Sequence, residues 1–443
     1  MAYRLIEEKW LSDIDWLSDA KIRAGYGVAG NNRIGDLLYM QLYGVTGEYA
    51  LGHTVLPGFA PPALANTELK WEKTVSRSVG LDLGFLSNRL QFTVDYYHNK
   101  GNDLLLSVAI PPTLGYTSQL QNVGSTSNRG WEFQLNGTPV QRKEFSWTSN
   151  FNIAFNKNRV ESLGGLKQQT RSAGWQGSDG ADDYLVKVGE PVGLMYGFVS
   201  DGIFQVSDFD YNAGTGAYTL KAGVANPNAI TGLVRPGTMR IKDINGDGRI
   251  TNDSDRVVLG NANPKFTGGW NNQFQYKNFD LSVFVNFVYG NDVYNANKIE
   301  WTDASFPHLN MLSVMKDRWR NIDDNGNLVT DPAELTKLNP NPKMWTPNNG
   351  QRYFLTSYAI EDGSFLRLNN ITLGYTLPKK ISTKARISNL RVYGTVNNLH
   401  TWTNYSGYDP EVTARRTDPL TPGVDFAAYP RAVTWVFGLN VTF

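Results

Sequence analysis

Along much of this chain, alternate positions carry apolar and polar residues in turn. In EFSWTSNFNIAFN, Phe145, Trp147, Phe151, Ile153 and Phe155 share one face of an extended chain, interrupted only by Ser149. Ser146, Thr148, Asn150, Asn152 and Asn156 share the other, as the two-residue period of a strand requires. RLQFTVDYYHN sets Leu90, Phe92, Val94 and Tyr96 against Gln91, Thr93, Asp95 and Tyr97, and FDLSVFVNFVY aligns Phe279, Leu281, Val283, Val285, Phe287 and Tyr289. VSRSVGLDLGF, GWEFQLNG, KFTGGWNNQFQYK and FLRLNNITLGYTL repeat the pattern, with single breaks at Arg77, Arg367 and Asn369. The chain closes on TWVFGLNVTF, where Trp435, Phe437, Leu439, Val441 and Phe443 oppose Thr434, Val436, Gly438, Asn440 and Thr442.

Length and face chemistry set these segments apart from a soluble sandwich. They run about ten to thirteen residues, against ~5–6 for strands of globular proteins and ~9–11 for a tilted strand crossing a bilayer. The polar face carries Ser, Thr, Asn, Gln, Gly and Asp with little Lys or Glu, which suits a crowded, hydrated lumen better than bulk water. Short links after Phe85, after Gly137, at Asn278 and through KKISTKARIS alternate with long ones at 29–72, 101–127, 157–264, 291–362 and 400–432. Membrane barrels alternate short inner turns with long outer loops in this way. The predicted fold is an all-β, antiparallel transmembrane β-barrel segment of ten to twelve strands over residues 20–443, after a lead-in over 1–19. Ten strands are clear, and within 157–264 parity allows none or an even number, with YGFVSDGIF and GTMRIKD as candidates. The same parity brings the last strand inward, so Phe443 belongs to an interfacial aromatic girdle in a lipid bilayer. The alternation from Trp435 to Phe443 is the pattern expected of a tail read by barrel-assembly machinery.

Composition narrows the partners. A net charge of +1, from 42 basic and 41 acidic residues, gives no field for nucleic acid. The absence of cysteine excludes disulfides, thiolate metal sites and cysteine nucleophiles. No run of 18 apolar residues forms a membrane helix, and MAYRLIEEKWLSDIDW lacks the layout of a signal peptide.

DINGDGRITNDSD is the sharpest local motif. Asp243, Asn245 and Asp247 stand at positions 1, 3 and 5 of a loop resembling an EF-hand, with Gly248 at the turn and the Arg249 carbonyl next. Position 12 is Ser254, with Asp253 and Asp255 beside it, so the bidentate closing ligand is displaced. A structural Ca2+ held by Asp243, Asn245, Asp247, Arg249, Asp253 and Asp255 on the outer side is one expectation. An Asx-rich turn held by its own hydrogen bonds is the other. Nothing assembles an enzyme: His53, His98, His308 and His400 are scattered, and Asp182–Asp183 and Asp323–Asp324 are loop acids. Trp175, Trp301, Trp345, Tyr405 and Tyr408 are candidates either for stacking on sugars or for packing within folded loops.

With these residues laid out, the chain resembles the C-terminal portion of SusC/RagA-like TonB-dependent outer-membrane transporters. The matching stretches include AKIRAGYGVAGN, LKWEKTVSRSVGLDLGF, VGSTSNRGWEF, RIKDINGDGRI, NPKFTGGWNNQFQYKNFDLSVFVNFVYGNDVYN, SFLRLNNITLGYTLP and LRVYGTVNNLHTWTNYSGYDPE, in that order. The extra residue before Asp255 departs slightly from the family's acidic loop. The resemblance implies a barrel of about 22 strands around a plug, of which this chain would be about the last half, without plug or TonB-contacting segment. It further implies the outer membrane of a Gram-negative bacterium and import of oligosaccharides or oligopeptides. A SusD-like surface lipoprotein would cap the barrel and TonB would drive it, with no covalent chemistry and no required cofactor. The competing reading is a secreted, soluble, calcium-stabilised β-rich glycan-binding protein.

Overall fold

The computed structural model describes residues 1–12, 14–32, 35–175, 182–304, 308–347, 353–382, 384, 386–413 and 418–443. Ten long strands pair in chain order into one antiparallel sheet. They are β1 (Leu17–Asn31), β2 (Glu72–Phe85), β3 (Leu90–Ala109), β4 (Ser118–Gln141), β5 (Phe145–Leu163), β6 (Phe266–Tyr276), β7 (Phe279–Tyr289), β8 (Phe365–Thr376), β9 (Asn389–Thr403) and β10 (Thr434–Thr442). A three-residue strand, Ala2–Arg4, pairs with β1 as the eleventh member. Among the described residues the sheet does not close: Ala2–Arg4 and β10 each have one strand neighbour.

The loop bounds differ from the sequence reading where the ladder outlasts the apolar alternation. β3 and β4 stay paired to Ala109 and Ser118 apart from register shifts near Leu104, and the Ile110 N–H still bonds the Thr117 carbonyl, so 101–127 is mostly hairpin. There Leu106 packs against the buried cluster of Val160, Leu163 and Val186, so apolar contact with the loops supports the extended ladder. The candidates within 157–264 form Leu194–Phe198, Ser200–Ile203 and Met239–Ile241, in small sheets outside the wall.

Register turns the apolar face into continuous rows. Ile22, Leu81, Val94, Phe133, Ile153, Gly268, Phe287, Leu366 and Trp402 stand successively opposite one another across nine strands. Aromatic rows bound the band. Tyr96, Trp131, Phe155, Phe266 and Tyr289 form the outer one, with ring centroids 4.9–5.8 Å apart where they touch. Phe145, Tyr276, Phe279 and Tyr375 form the inner one. Both rows cross β6 at its ends, Phe266 and Tyr276, which are the limits of an eleven-residue strand. At about 3.4 Å per residue that is about 34 Å of strand, or about 26 Å of height at a tilt of about 40°. This equals the apolar band of a membrane barrel, about 25 Å.

The breaks in the alternation have local causes. Ser149 and Asn272 face outward in the band, and their oxygens accept the indole N–H of Trp270 (2.9 Å) and Trp147 (3.0 Å). On β8, a bulge between Leu368 and Asn370 switches the face. Leu366 is therefore outward while Arg367 points inward and is buried. Arg367 and Asn369 are thus not defects in an apolar face.

Phe151 lies mid-band, opposite Leu135 and Trp270. Phe151→Arg is expected to lower stability in a bilayer by about 2–4 kcal/mol, and Asn150→Arg on the inner face by much less. Urea unfolding in lipid vesicles measures both.

Candidate solute path and the acidic loop

The inner wall is a continuous array of amides and hydroxyls. Asn370 Nδ2 donates to Asn397 Oδ1 at 2.7 Å, the Thr372 and Thr395 hydroxyls meet at 2.8 Å, and Asn369 Nδ2 donates to Asn286 Oδ1 at 3.1 Å. Two ion-pair groups interrupt it. Arg23 on β1 bonds both Asp82 oxygens (2.9 and 3.0 Å) and reaches Asp95 on β3 at 2.9 Å. It crosses Gly80 on β2, where an added Cβ would stand 2.2 Å from Asp95 and 2.7 Å from Arg23. Arg391 on β9 reaches Asp280 on β7 across Gly374 in the same manner (2.9 and 2.5 Å). Glycine in these strands leaves room for a bond that skips a strand.

The three last long connections join into one body at the outer end of the sheet. A core of Ala173, Trp175, Tyr184, Met195, Tyr294, Ala296, Leu355, Ala359 and Val424 draws on all three. Trp175 Nε1 donates to the Tyr294 hydroxyl at 2.9 Å, and the Tyr405 hydroxyl donates to Asp425 at 2.6 Å. Trp175 and Tyr405 are thus packing residues, while Tyr408 is exposed. The body is clamped to the wall by Arg367, 1% exposed, which bonds Asp409 at 2.5 Å and Glu411 at 3.1 Å. Trp345 has a different role. With Tyr353, Tyr358, Arg235 and Asp303 it lines a cavity of about 240 Å³ in this body, with its ring 4.8 Å from that of Tyr358. The Arg235 Nε is buried and has no hydrogen-bond partner among the described residues. Sequence reasoning named Trp345 but not Arg235, Asp303, Tyr353 or Tyr358. These converge from 233–303 and 345–358, and no local spacing signals that. Of NPNPKMWTPNNG, residues 348–350 lie outside the described residues.

The acidic loop holds itself. Asp243 accepts the N–H groups of Gly246 (2.7 Å) and Gly248 (2.8 Å), and Asp247 accepts that of Arg249 (2.8 Å). Asn245 accepts the Asp247 N–H and donates to the Asp247 carboxylate, which helps hold that carboxyl below its ordinary range. Asp255 is fully buried and accepts N–H groups from both ends of the loop, Ile244 at 3.0 Å and Thr251 at 2.8 Å. Asp253 and Ser254 are exposed. Among the described residues no group of three or more acidic or histidine side chains is placed to hold a metal ion. The hydrogen bonds present are those of a self-bonded Asx turn. At the chain's end, Phe437 stands opposite Gly394, Leu439 opposite Val392 and Val441 opposite Leu390, on the apolar face with Trp435. Phe443 follows β10 and is 90% exposed.

Comparison with known proteins fits this architecture. The profile of the family described as "TonB dependent receptor-like, beta-barrel" matches residues 10–226. The chain is 31% identical over 466 residues to a TonB-dependent receptor of Formosa agariphila, across 100% of this chain and 42% of that protein. It is 32% identical over 453 residues to the TonB-dependent receptor SusC of Bacteroides thetaiotaomicron, across 100% of this chain and 39% of that protein. The chain carries a TonB-dependent receptor-like β-barrel domain. Its fold is similar to that of the RagAB peptide importer in its closed-closed state, with a TM-score of 0.73 at 24% identity over 100% of this chain and 43% of the other. The chain spans about four-tenths of the length of these relatives. The open sheet is thus barrel wall of a TonB-dependent receptor, a family of outer-membrane proteins.

Two outcomes follow for the receptor's loops. Asp255→Ala strands two backbone N–H groups at a cost of about 1–3 kcal/mol each, whereas a chelator is expected to leave the melting temperature unchanged. Differential scanning calorimetry with and without EDTA checks both. Burial pushes the Asp183 carboxyl up to about 6, from an ordinary 3.8. The folded body then keeps a proton that the unfolded chain has released. Its stability falls as pH rises from about 4 to about 6 and is level above, and Asp183→Asn should flatten this profile of Trp fluorescence melting.

Proposed function

We propose that this chain supplies barrel wall and outer loops to a TonB-dependent importer that takes up an oligosaccharide across the outer membrane of a Gram-negative bacterium. A SusD-like lipoprotein closes the loops from outside, and TonB supplies the driving force from the periplasm. The observation that carries this reading is the cavity of the loop body. There Trp345, Tyr353 and Tyr358 offer ring faces, and Thr302, Thr356 and Arg235 lie at the lining. Rings and uncharged polar groups suit a hydrated, uncharged oligomer. The inner wall continues in the same chemistry, with many weak and directional bonds available along the path. The Thr93 hydroxyl donates to the Asp82 carboxylate at 3.2 Å, but Lys21 and Arg23 already engage that carboxylate. It is therefore a poor activating base, and in this reading the solute passes unchanged.

An oligopeptide is the second reading, favoured by the Arg235 and Asp303 charges at the same cavity and by the RagAB peptide importer's similar fold. Titration of the chain in detergent with defined oligosaccharide and oligopeptide pools distinguishes the two. Trp345→Ala is expected to weaken binding of the preferred class about tenfold, the loss of one stacked ring. Equal binding by wild type and variant, or turnover of a bound oligomer, would remove the proposal.

A further inference from the structure

One row of the outer face breaks the apolar pattern without local compensation. Arg77, His98, Arg129 and Lys157 stand directly opposite one another on β2, β3, β4 and β5. They share the face of Val79, Tyr96, Trp131 and Phe155, one pleat further outward than that aromatic row. The next pleat repeats the sign, with Lys100 and Arg159 flanking Ser127. Arg77, Arg129 and Lys157 are exposed, and among the described residues none of them forms an ion pair. Of the acids on these strands, Asp82, Asp95 and Glu132 belong to the opposite face, where Asp82 and Asp95 are joined to Arg23. Further out Asp103 pairs with Lys73 at 3.7 Å, and Glu161, at a bulge, accepts the Ser127 hydroxyl at 2.6 Å.

Like charges directly opposite on neighbouring strands repel, as Arg129 and Lys157 do here, and Arg77 adds a third fixed cation to the same row beyond His98. A bound anion converts that repulsion into attraction. The row spans about 14 Å, three strand spacings of about 4.8 Å. An open cavity of about 680 Å³ lies against it, with Arg129 and Lys157 beside Tyr96, Trp131 and Phe155. Cations just above an interfacial aromatic row are where lipid phosphates meet a barrel. We infer that this belt binds the phosphorylated headgroup of an outer-leaflet glycolipid, with acyl chains lying along the aromatic row below. The inference rests on the outer-membrane reading and is independent of which solute is imported.

The test uses the full chain in dodecyl maltoside, titrated with bisphosphorylated lipid A, its dephosphorylated form and sodium pyrophosphate, and read by native mass spectrometry. The bisphosphorylated lipid should bind. Affinity should fall about thirtyfold in Arg129→Gln/Lys157→Gln, about fivefold per cation near an anionic headgroup. The pair Lys143→Gln/Lys380→Gln, which removes equal charge near the short turns, should leave binding unchanged. Circular dichroism separates loss of fold from loss of binding, and Lys157→Arg should retain affinity. Equal binding of the dephosphorylated lipid, or undiminished binding by the Arg129→Gln/Lys157→Gln variant, would overturn the assignment. Pyrophosphate binding as tight as the lipid's would show a free-phosphate site instead and equally overturn it. None of these outcomes depends on the oligosaccharide titration, so the two readings fail separately.

Discussion

A peptide group in hydrocarbon has no water to bond, and leaving one unpaired costs several kcal/mol. Everything else in this wall follows from that. Ten long strands in chain order satisfy the backbone laterally, and the pleat then gives each side chain one of two faces. The outer face has to match lipid over about 25 Å, and the spacing of the aromatic rows on β6 meets it. Polar atoms that fall on this face obey the same rule. Ser149 and Asn272 are tolerated because a neighbouring indole N–H saturates each one. The two sheet edges are where the rule is unmet among the described residues, and in a membrane they require strand partners.

The inner face obeys a looser constraint, since water reaches it, and it is used for bonds longer than one strand spacing. Arg23 to Asp95 and Arg391 to Asp280 each span a strand, which is sterically open only because Gly80 and Gly374 stand beneath. Glycine weakens the local strand by up to ~1 kcal/mol. The exchange is favourable where the charge-assisted bond gained is worth ~1.5–3 kcal/mol.

Much of the wall was legible because its period is two and its turns are short. All ten strands fell where alternation put them, and Ser149 was visible as an interruption though not its partner Trp270. The bulge at Asn369 was not legible, because a face switch looks in sequence like two polar errors at Arg367 and Asn369. The full hairpin between Gly101 and Asn128 was also hidden, because its outer part packs on Val160, Leu163 and Val186 through Leu106 and not through a regular two-residue apolar face. In the loops the sequence marked DINGDGRITNDSD and leaned toward a self-bonded turn over calcium. It could not show Asp255, buried, accepting the N–H groups of Ile244 and Thr251. The cavity beside Trp345 is assembled from residues more than a hundred apart, which no spacing argument reaches.

The clamp at Arg367 decides how the wall and the loops act on each other. A guanidinium in such a buried place is stable only while its carboxylates stay, and losing one partner costs about 3–5 kcal/mol. Asp409 and Glu411 come from the last long connection, and Arg431 in turn holds Glu411 at 3.0 Å. That connection also supplies Val424 and Asp425, which pair in parallel with Asp292–Asn295 of the preceding long connection. Displacing one loop therefore strains the next through a shared sheet and a shared core. Loops built in this way move as one body or stay still. Under the proposed function, movement of the last long connection away from the wall requires breaking the Arg367–Asp409 and Arg367–Glu411 pairs, and the shared core carries that constraint to the other two connections.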